Sequence, residues 1–405
     1  MANSTYDIIS IGGGLGGSAL AKNMAEKGAK VLVLESETRF RDRIRGEVIV
    51  SWGVLEAQKL GIYEGMKAAG AREIDWEERT AGVSTEINLP VERNLSSTTS
   101  IGTPKLTFYH PQMQEAILQL ASDSGAQVHR GAIVTGVRKD GLPRVTANIN
   151  GRDQEFTSRL VVGADGRSSG TRNWGGFESQ SRQAVTFCAG VLFDDMRSPD
   201  DRSQHYRVYD RGMVSLLFPQ GDRRVRAYLC YPQAWGMRLS GSDSIKQFID
   251  WSAVAGTPSE YFAGATPTGT LASFDSSTNW INHPYRNNIV LIGDAAGATD
   301  PMFGQGVSLT FRDARVLCDQ LLDNEDWDIA GHEYAEQHDK YFGVCITVQE
   351  WNDRLLTETG EKADARREKA FSSWRTDPSR RLDTGHSGPN HPVDETVRRR
   401  FFGEE

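Results

Sequence analysis

Residues 6–35, YDIISIGGGLGGSALAKNMAEKGAKVLVLE, decide the fold. Ile8, Ile9 and Ile11 form an apolar run that breaks into Gly12, Gly13, Gly14, Gly16 and Gly17. A helical pattern follows, with Leu20, Met24 and Ala25 on one side and Lys22, Glu26 and Lys27 on the other. Gly28 ends it, and a second apolar run, Val31 to Leu34, leads into Glu35. Strand, glycine turn, helix, second strand and acid in this order predict a βαβ unit that holds a dinucleotide. Gly12 permits the tight turn, Gly14 lets a pyrophosphate approach the backbone, and Gly17 lets the helix lie close on the strand. The helix N-terminus offers N–H groups and partial positive charge to the phosphates. Glu35, 18 residues after Gly17, is placed to accept hydrogen bonds from ribose hydroxyls. An acid there disfavours a 2′-phosphate, so FAD or NAD is expected rather than NADP.

The bulk numbers narrow the class. A chain of 405 residues is long enough for two sizeable domains. Apolar content of 38% and charged content of 25% are those of a soluble globular protein. A net charge of −8 argues against nucleic acid as the main partner. No run approaches the ~18 apolar residues of a membrane span, and MANSTYD has no signal-peptide pattern. Cys188, Cys230, Cys318 and Cys345 are scattered without a CxxC, which reads as reduced, buried thiols in a cytoplasmic protein. The histidines are equally dispersed, so no metal site is expected.

Beyond Glu35, Arg39, Arg41, Arg43 and Arg45 concentrate positive charge, and Arg45 beside Gly46 is the one expected to contact the cofactor. Residues 52–69 read as helical and 71–107 as excursion strands. Residues 110–122 form an amphipathic helix with Pro111 in its first turn. Strands follow on either side of an Asp140-Gly141 turn, and the apolar run Leu160 to Val162 delivers Gly163, Asp165 and Gly166 into a turn. HYRVY, GMVSLLFP and RRVRAYLCYP within 184–232 read as antiparallel strands, with Gly221-Asp222 as a hairpin turn. Residues 242–262 read as helical, and 287–322 as strand, glycine turn and long helix. Residues 330–370 are helical, and the tail after Asp377 is expected to be irregular, with Arg398 to Arg400 a solvated face. Tryptophans 52, 174, 235, 251 and 280 are assigned to the core.

Three separated segments therefore share one design, a buried strand ending in glycines and an acid: IGGGLGG with Glu35, VVGADGRSS, and VLIGDAAGATDPMFGQG. One large, two-ended cofactor held by several loops accounts for all of them. At these motifs, over roughly residues 5–325, the chain resembles the para-hydroxybenzoate hydroxylase family, the class A flavoprotein monooxygenases, with their reductase and halogenase relatives. The resemblance implies an α/β fold: a Rossmann-like FAD-binding domain of the GR2 type, an inserted antiparallel β-sheet substrate domain and a helical C-terminal region. It divides the chain into FAD-binding parts at 1–72, 109–183 and 287–325, a substrate-domain excursion at 73–108, the substrate-domain sheet and helix at 184–286, and C-terminal helices and tail at 326–405.

The resemblance also implies site residues. Gly12, Gly14, Leu15, Gly16 and Gly17 hold the pyrophosphate and Glu35 the adenosine ribose. Gln114 and Val134 add to the cofactor site, as do Asp165 and Gly166 of the DG turn, which is linked to binding the nicotinamide. Asp294 accepts a hydrogen bond from the ribityl chain, and Pro301, Gly304, Gln305 and Gly306 pass beside the isoalloxazine. The helix beginning near Val307 points its positive end at the flavin. Gly297 stands where many members carry histidine, and His110 or Gln114 where many carry arginine. GDAAG and DPMFGQG also look like reductases of the geranylgeranyl type.

The activity implied is oxygen transfer. NAD(P)H, bound transiently, reduces non-covalent FAD; O2 adds to give a C4a-hydroperoxide; a small aromatic or unsaturated substrate is hydroxylated or epoxidised. The flavin carries the chemistry, so no catalytic side chain is named. The alternative is a reductase or dehydrogenase acting on a C=C bond. A halogenase ranks third, because its WxWxIP signature is absent. For the inserted sheet, alternation predicts Arg224 and Arg226 facing water. Val225, Ala227, Leu229 and Tyr231 would then face inward, matched by Val214, Leu216 and Phe218. Leu216 or Phe218 is expected to reach the substrate.

Overall fold

The computed structural model describes residues 5–44, 46–139 and 141–405. Thr5–Ile11 lies between Val31–Glu35 and Arg152–Gly163 in a parallel sheet. Gln127–Arg130 and Ile289–Leu291 extend that sheet at its two sides, also in parallel. Both faces are covered, which is why Ile8, Ile9 and Ile11 are apolar without alternating. Ile8, Val31, Val33, Leu160 and Val162 pack under the helices Leu15–Glu26, His110–Asp123 and Gly306–Asp323. Ile9, Ile11, Leu32, Leu34 and Val161 pack under the hairpin of Ala132–Arg138 and Arg144–Ile149. Asp140, expected in the turn of that hairpin, lies outside the described residues.

A second sheet places Thr186–Asp194, Arg224–Pro232, Met213–Gly221, Arg202–Val208 and Trp76–Val83 side by side. Trp76–Val83 joins in parallel, so the excursion strands and the later β block form one layer. One face packs under the helix Ile245–Val254, with Phe193, Leu217, Val225, Leu229 and Tyr231 around Phe248. The other face carries Cys188, Val214, Leu216, Phe218, Tyr228 and Cys230 and packs on Val48 and Met302.

This pairing corrects the expected faces. Phe218 stands opposite Arg226, Leu216 opposite Tyr228 and Val214 opposite Cys230. The row Val214, Leu216, Phe218 therefore shares its face with Arg226, not with Val225, Ala227, Leu229 and Tyr231. Arg224 is exposed, as expected, but Arg226 is 0% exposed. Its Nη2 donates to Asp42 Oδ2 at 2.6 Å, and its Nε lies 3.4 Å from Glu47 Oε1. Alternation separates two faces without saying which meets water. Here Arg226 is enclosed, and carboxylates from the loop after the βαβ unit neutralise it. The hairpin turn is also displaced by one residue: its loop residues are Asp222 and Arg223, both left-handed at φ 52° and 61°.

Helix Trp327–Leu356 packs along Gly306–Asp323, and Glu361–Thr376 follows it. The chain after Asp377 is ordered, against expectation, with helices at Thr384–Ser387 and Glu395–Phe401. The cause is apolar: Phe401 and Phe402 are 0% and 2% exposed and pack with Trp351, Leu355 and Ala370. Arg399 and Arg400 are exposed, while Arg398 lies over the Phe402 ring. The helix expected over 242–262 stops at Val254, where Gly256 at φ 99° and Pro258 interrupt it. Trp52 is buried as expected, whereas Trp235 is 40% exposed and packs edge-on against Trp251. Among the described residues no helix is long and apolar enough to cross a membrane.

Replacing Phe401 by Ala removes a ring from this closed cluster. It is expected to cost about 3–5 kcal/mol and to lower the thermal midpoint by about 3–6 °C. An unchanged midpoint in a scanning calorimeter would mean that the tail is not docked as described.

Candidate active site

The three glycine turns converge on one cavity of about 870 Å³ between the two sheets. That size is at the upper end of the ~300–1,000 Å³ typical of sites for small molecules and cofactors. Its lining includes Gly12, Gly14, Leu15, Gly16 and Glu35, with Gln114 and Val134. Asp165, Gly166 and Asp294 line it as well. So do Pro301, Gly304, Gly306 and Val307, together with Leu216, Phe218, Tyr228 and Cys188 of the second sheet. Gly17 and Gln305 stand behind the wall. Gln305 Nε2 donates to Thr384 Oγ1 at 3.2 Å, and its Oε1 accepts from Cys345 Sγ at 3.2 Å. Arg45 lies outside the described residues.

Each turn is held by its own bonds. Gly12 has φ 103°, and a Cβ on Gly17 would collide with the Gly12 carbonyl, so the helix packs directly on the turn. Gly13 N–H donates to Glu35 Oε2 at 2.7 Å and Glu37 N–H to Glu35 Oε1 at 2.7 Å, which fixes the carboxylate at the cavity edge. Asp165 accepts from Ser169 Oγ at 2.6 Å and from Thr171 N–H at 2.9 Å. It thus shapes its own turn while lining the cavity. Arg172 Nη2 donates to the carbonyls of Arg167 at 2.7 Å and Asp294 at 3.0 Å, clamping the second turn to the third. Gly293 N–H donates to buried Asp313 Oδ2 at 2.7 Å.

Several groups escaped the sequence reading. Glu47 is 1% exposed and accepts from the Tyr228 hydroxyl in the cavity wall, beside Arg226. Burial, then Glu47, pushes the Tyr228 phenol well above its usual range, so it keeps its proton. Cys188 pairs across the ladder with Cys230, and that thiol contact, with burial, holds its proton on as well. Trp174, assigned to the core, lines the cavity. Asp300, one residue before Pro301, is 6% exposed and accepts from Met302 N–H at 2.8 Å. Burial pushes its carboxyl up to about 7. The only sequence signal for Glu47 and Asp300 was an acid set in an apolar stretch, which does not separate a loop from a core.

Because the folded carboxyl of Asp300 holds its proton more tightly than the unfolded one, it favours the folded state at low pH. That contribution fades as pH rises from about 4 to about 7. Asp300→Asn cannot ionise. Its thermal midpoint relative to the native protein is therefore expected to rise between pH 5 and pH 8. The same difference at both pH values would show that Asp300 does not titrate in this range.

The family described as FAD binding domain matches residues 5–343. The digeranylgeranylglycerophospholipid reductase of Methanocella arvoryzae is 25% identical over 330 residues, 77% of this chain and 76% of that one. The squalene epoxidase of Schizosaccharomyces pombe is 25% identical over 344 residues, 78% of this chain and 69% of that one. In fold, the chain is similar to PqsL of Pseudomonas aeruginosa, solved in complex with 2-aminobenzoylacetate. The TM-score is 0.72 at 20% identity, covering 88% of this chain and 97% of that one. The chain belongs to the FAD-binding-domain family, among the class A FAD-dependent monooxygenases and their geranylgeranyl reductase relatives, and its cofactor is FAD.

Proposed function

We propose that this enzyme uses NAD(P)H and O2 to oxygenate a small organic substrate with an aromatic or unsaturated body. The observation that carries the proposal is the apolar roof of Leu216, Phe218, Tyr228 and Cys188 over the turn Pro301 to Val307. A substrate bound there lies between that roof and the turn, shielded from water. FAD held non-covalently supplies acceptance of electrons from the nicotinamide and their use on oxygen.

The chain's own groups have defined tasks. Gly14 begins its helix without a side-chain cap, and a Cβ there would meet only Gln114 Nε2, at 3.7 Å. The backbone at Gly14, Leu15 and Gly16 is thus open to a pyrophosphate. Glu35 takes the ribose, Asp165, Gly166 and Asp294 the middle of the cofactor, and Pro301, Gly304, Gly306 and Val307 the ring end. Helix Gly306–Asp323 also starts without a side-chain cap. Its N-terminus would stabilise negative charge on the ring by up to ~2 kcal/mol. Tyr228, protonated and anchored on Glu47, faces the substrate as a fixed hydroxyl. The four buried, unlinked cysteines support a reducing compartment, the cytoplasm.

Glu35→Ala is expected to weaken FAD binding by roughly 10- to 150-fold, the loss of ~1.5–3 kcal/mol of charge-assisted hydrogen bonding. Titration of the apoprotein with FAD measures this, and unchanged affinity would remove Glu35 from the ribose site. The oxygenase assignment has its own test. Flavin reduction by NAD(P)H should speed up with a true substrate, and product should form only with O2, carrying label from 18O2. Equal turnover without oxygen would instead support the alternative, a reductase acting on a C=C bond; the Methanocella relative is named a reductase.

A further inference from the structure

Cys188 and Cys230 face each other across the antiparallel ladder of the second sheet. Facing residues in such a ladder lie about 4.5–5.5 Å apart at Cα, inside the ~4.4–6.8 Å that a disulfide spans. Phe274 stands on the other side of Cys188 and Val214 on the other side of Cys230, so the two thiols occupy the middle of one row across the sheet. They are 2% and 1% exposed and share the inner face with Leu216, Phe218 and Tyr228. Cys188 lines the cavity, whereas Cys230 is not among the described residues that do. The other two cysteines are placed differently. Cys318 Sγ contacts the Leu20 carbonyl at 4.0 Å and Cys345 Sγ donates to Gln305 Oε1 at 3.2 Å, and neither is among the lining residues.

A buried, protonated thiol reacts slowly with an oxidant dissolved in bulk water. The cavity is where an oxidant would form. When electrons held by the cofactor pass to O2 and no substrate takes an oxygen atom, the product is hydrogen peroxide, released into the space that Cys188 lines. We propose that Cys188 and Cys230 are a redox pair that closes to a disulfide on hydrogen peroxide formed in the cavity, a reversible site of modification in its wall. This rests on the use of O2 proposed above. The step balances. The Cys188 sulfur takes one peroxide oxygen as the O–O bond breaks, and the thiol proton leaves with the other oxygen as water, giving a sulfenic acid. The Cys230 sulfur then attacks the Cys188 sulfur and the S–O bond breaks. The departing hydroxyl takes the Cys230 proton as a second water. Two electrons pass from the sulfurs to the peroxide. A thiol without a neighbour would stay at the sulfenic acid, open to irreversible oxidation, while the disulfide returns to two thiols by exchange with a dithiol.

The test uses the full-length, FAD-loaded protein without substrate. Its flavin is reduced by light and EDTA under nitrogen and reoxidised by air in the dark, through repeated cycles. Catalase in the solution removes peroxide that escapes. The protein is then denatured, treated with iodoacetamide and digested with trypsin. Peptides 183–197 and 227–238 each carry one cysteine of the pair. They should be found joined and lighter by two hydrogens, while Cys318 and Cys345 take the alkyl group. Light under nitrogen alone should leave all four cysteines alkylated, and dithiothreitol should reverse the bond. Two variants identify the sulfur that meets the peroxide. In Cys230→Ser, dimedone should label Cys188, the one that lines the cavity; in Cys188→Ser, Cys230 should stay unlabelled. Four free thiols after the cycles, a bond that forms only when catalase is left out, or equal labelling in the two variants would overturn the proposal. A Cys188–Cys230 bond in a protein that forms product equally well without O2 would leave the pair standing and remove the oxygenase assignment. Oxygenated product from a protein whose thiols survive the cycles would do the reverse.

Discussion

Helix Leu15–Glu26 can lie against Thr5–Ile11 only because Gly12 and Gly17 carry no side chains. A Cβ at either position would overlap backbone of the turn or of the neighbouring strand at Ala164. That contact sets the height of the helix over the sheet. His110–Asp123 and Gly306–Asp323 then pack beside it on the same apolar surface. Gln114 and Val307, near the N-terminal ends of these helices, reach the cavity that Gly14 opens. The three glycine turns meet because one close approach fixes the layer from which they project.

The second sheet is buried on both faces, and this decides what the cavity is made of. Its outer face is closed by the helix around Phe248. Its inner face mixes apolar rows with ionisable groups, and the two kinds of residue are sorted along the sheet. Cys188, Leu216 and Phe218 form the apolar part, while His205, Arg207 and Arg79 lie toward the strand Trp76–Val83. The C-terminal tail covers the charged part through Asp383 and His386, and its Thr384 meets Gln305 behind the cavity wall.

The arginines of the second sheet and the tail divide by compensation. Arg226 sits between Asp42 and Glu47, and its charge is neutralised where it stands. Arg79 and Arg93 share Glu77 with Lys105. Arg207 and Arg381 are left over. Removing charge from water is costly without a partner. Their charge stands among Arg79, Glu77 and Asp383, between the second sheet and the C-terminal tail.

The βαβ unit, the three-turn design and FAD were legible in residues 6–35, 160–172 and 289–307, because backbone approach and helix polarity demand particular residues at particular spacings. Strand positions in the second sheet were legible too, since alternation and apolar runs are local. Which face of that sheet is wet was not: Arg226 reads as a surface residue until Asp42 and Glu47 are seen against it. Gly297 in place of histidine looked like a departure from the family, yet a Cβ there would run into the Phe342 ring, which comes from a helix beyond the motif. The tail looked irregular because its order comes from Phe401 and Phe402 entering a distant cluster, not from its own pattern. Local chemistry, turn geometry and periodicity were set by the sequence alone. Burial and charge balance are sums over residues far apart in the chain, and only the tertiary structure decides them.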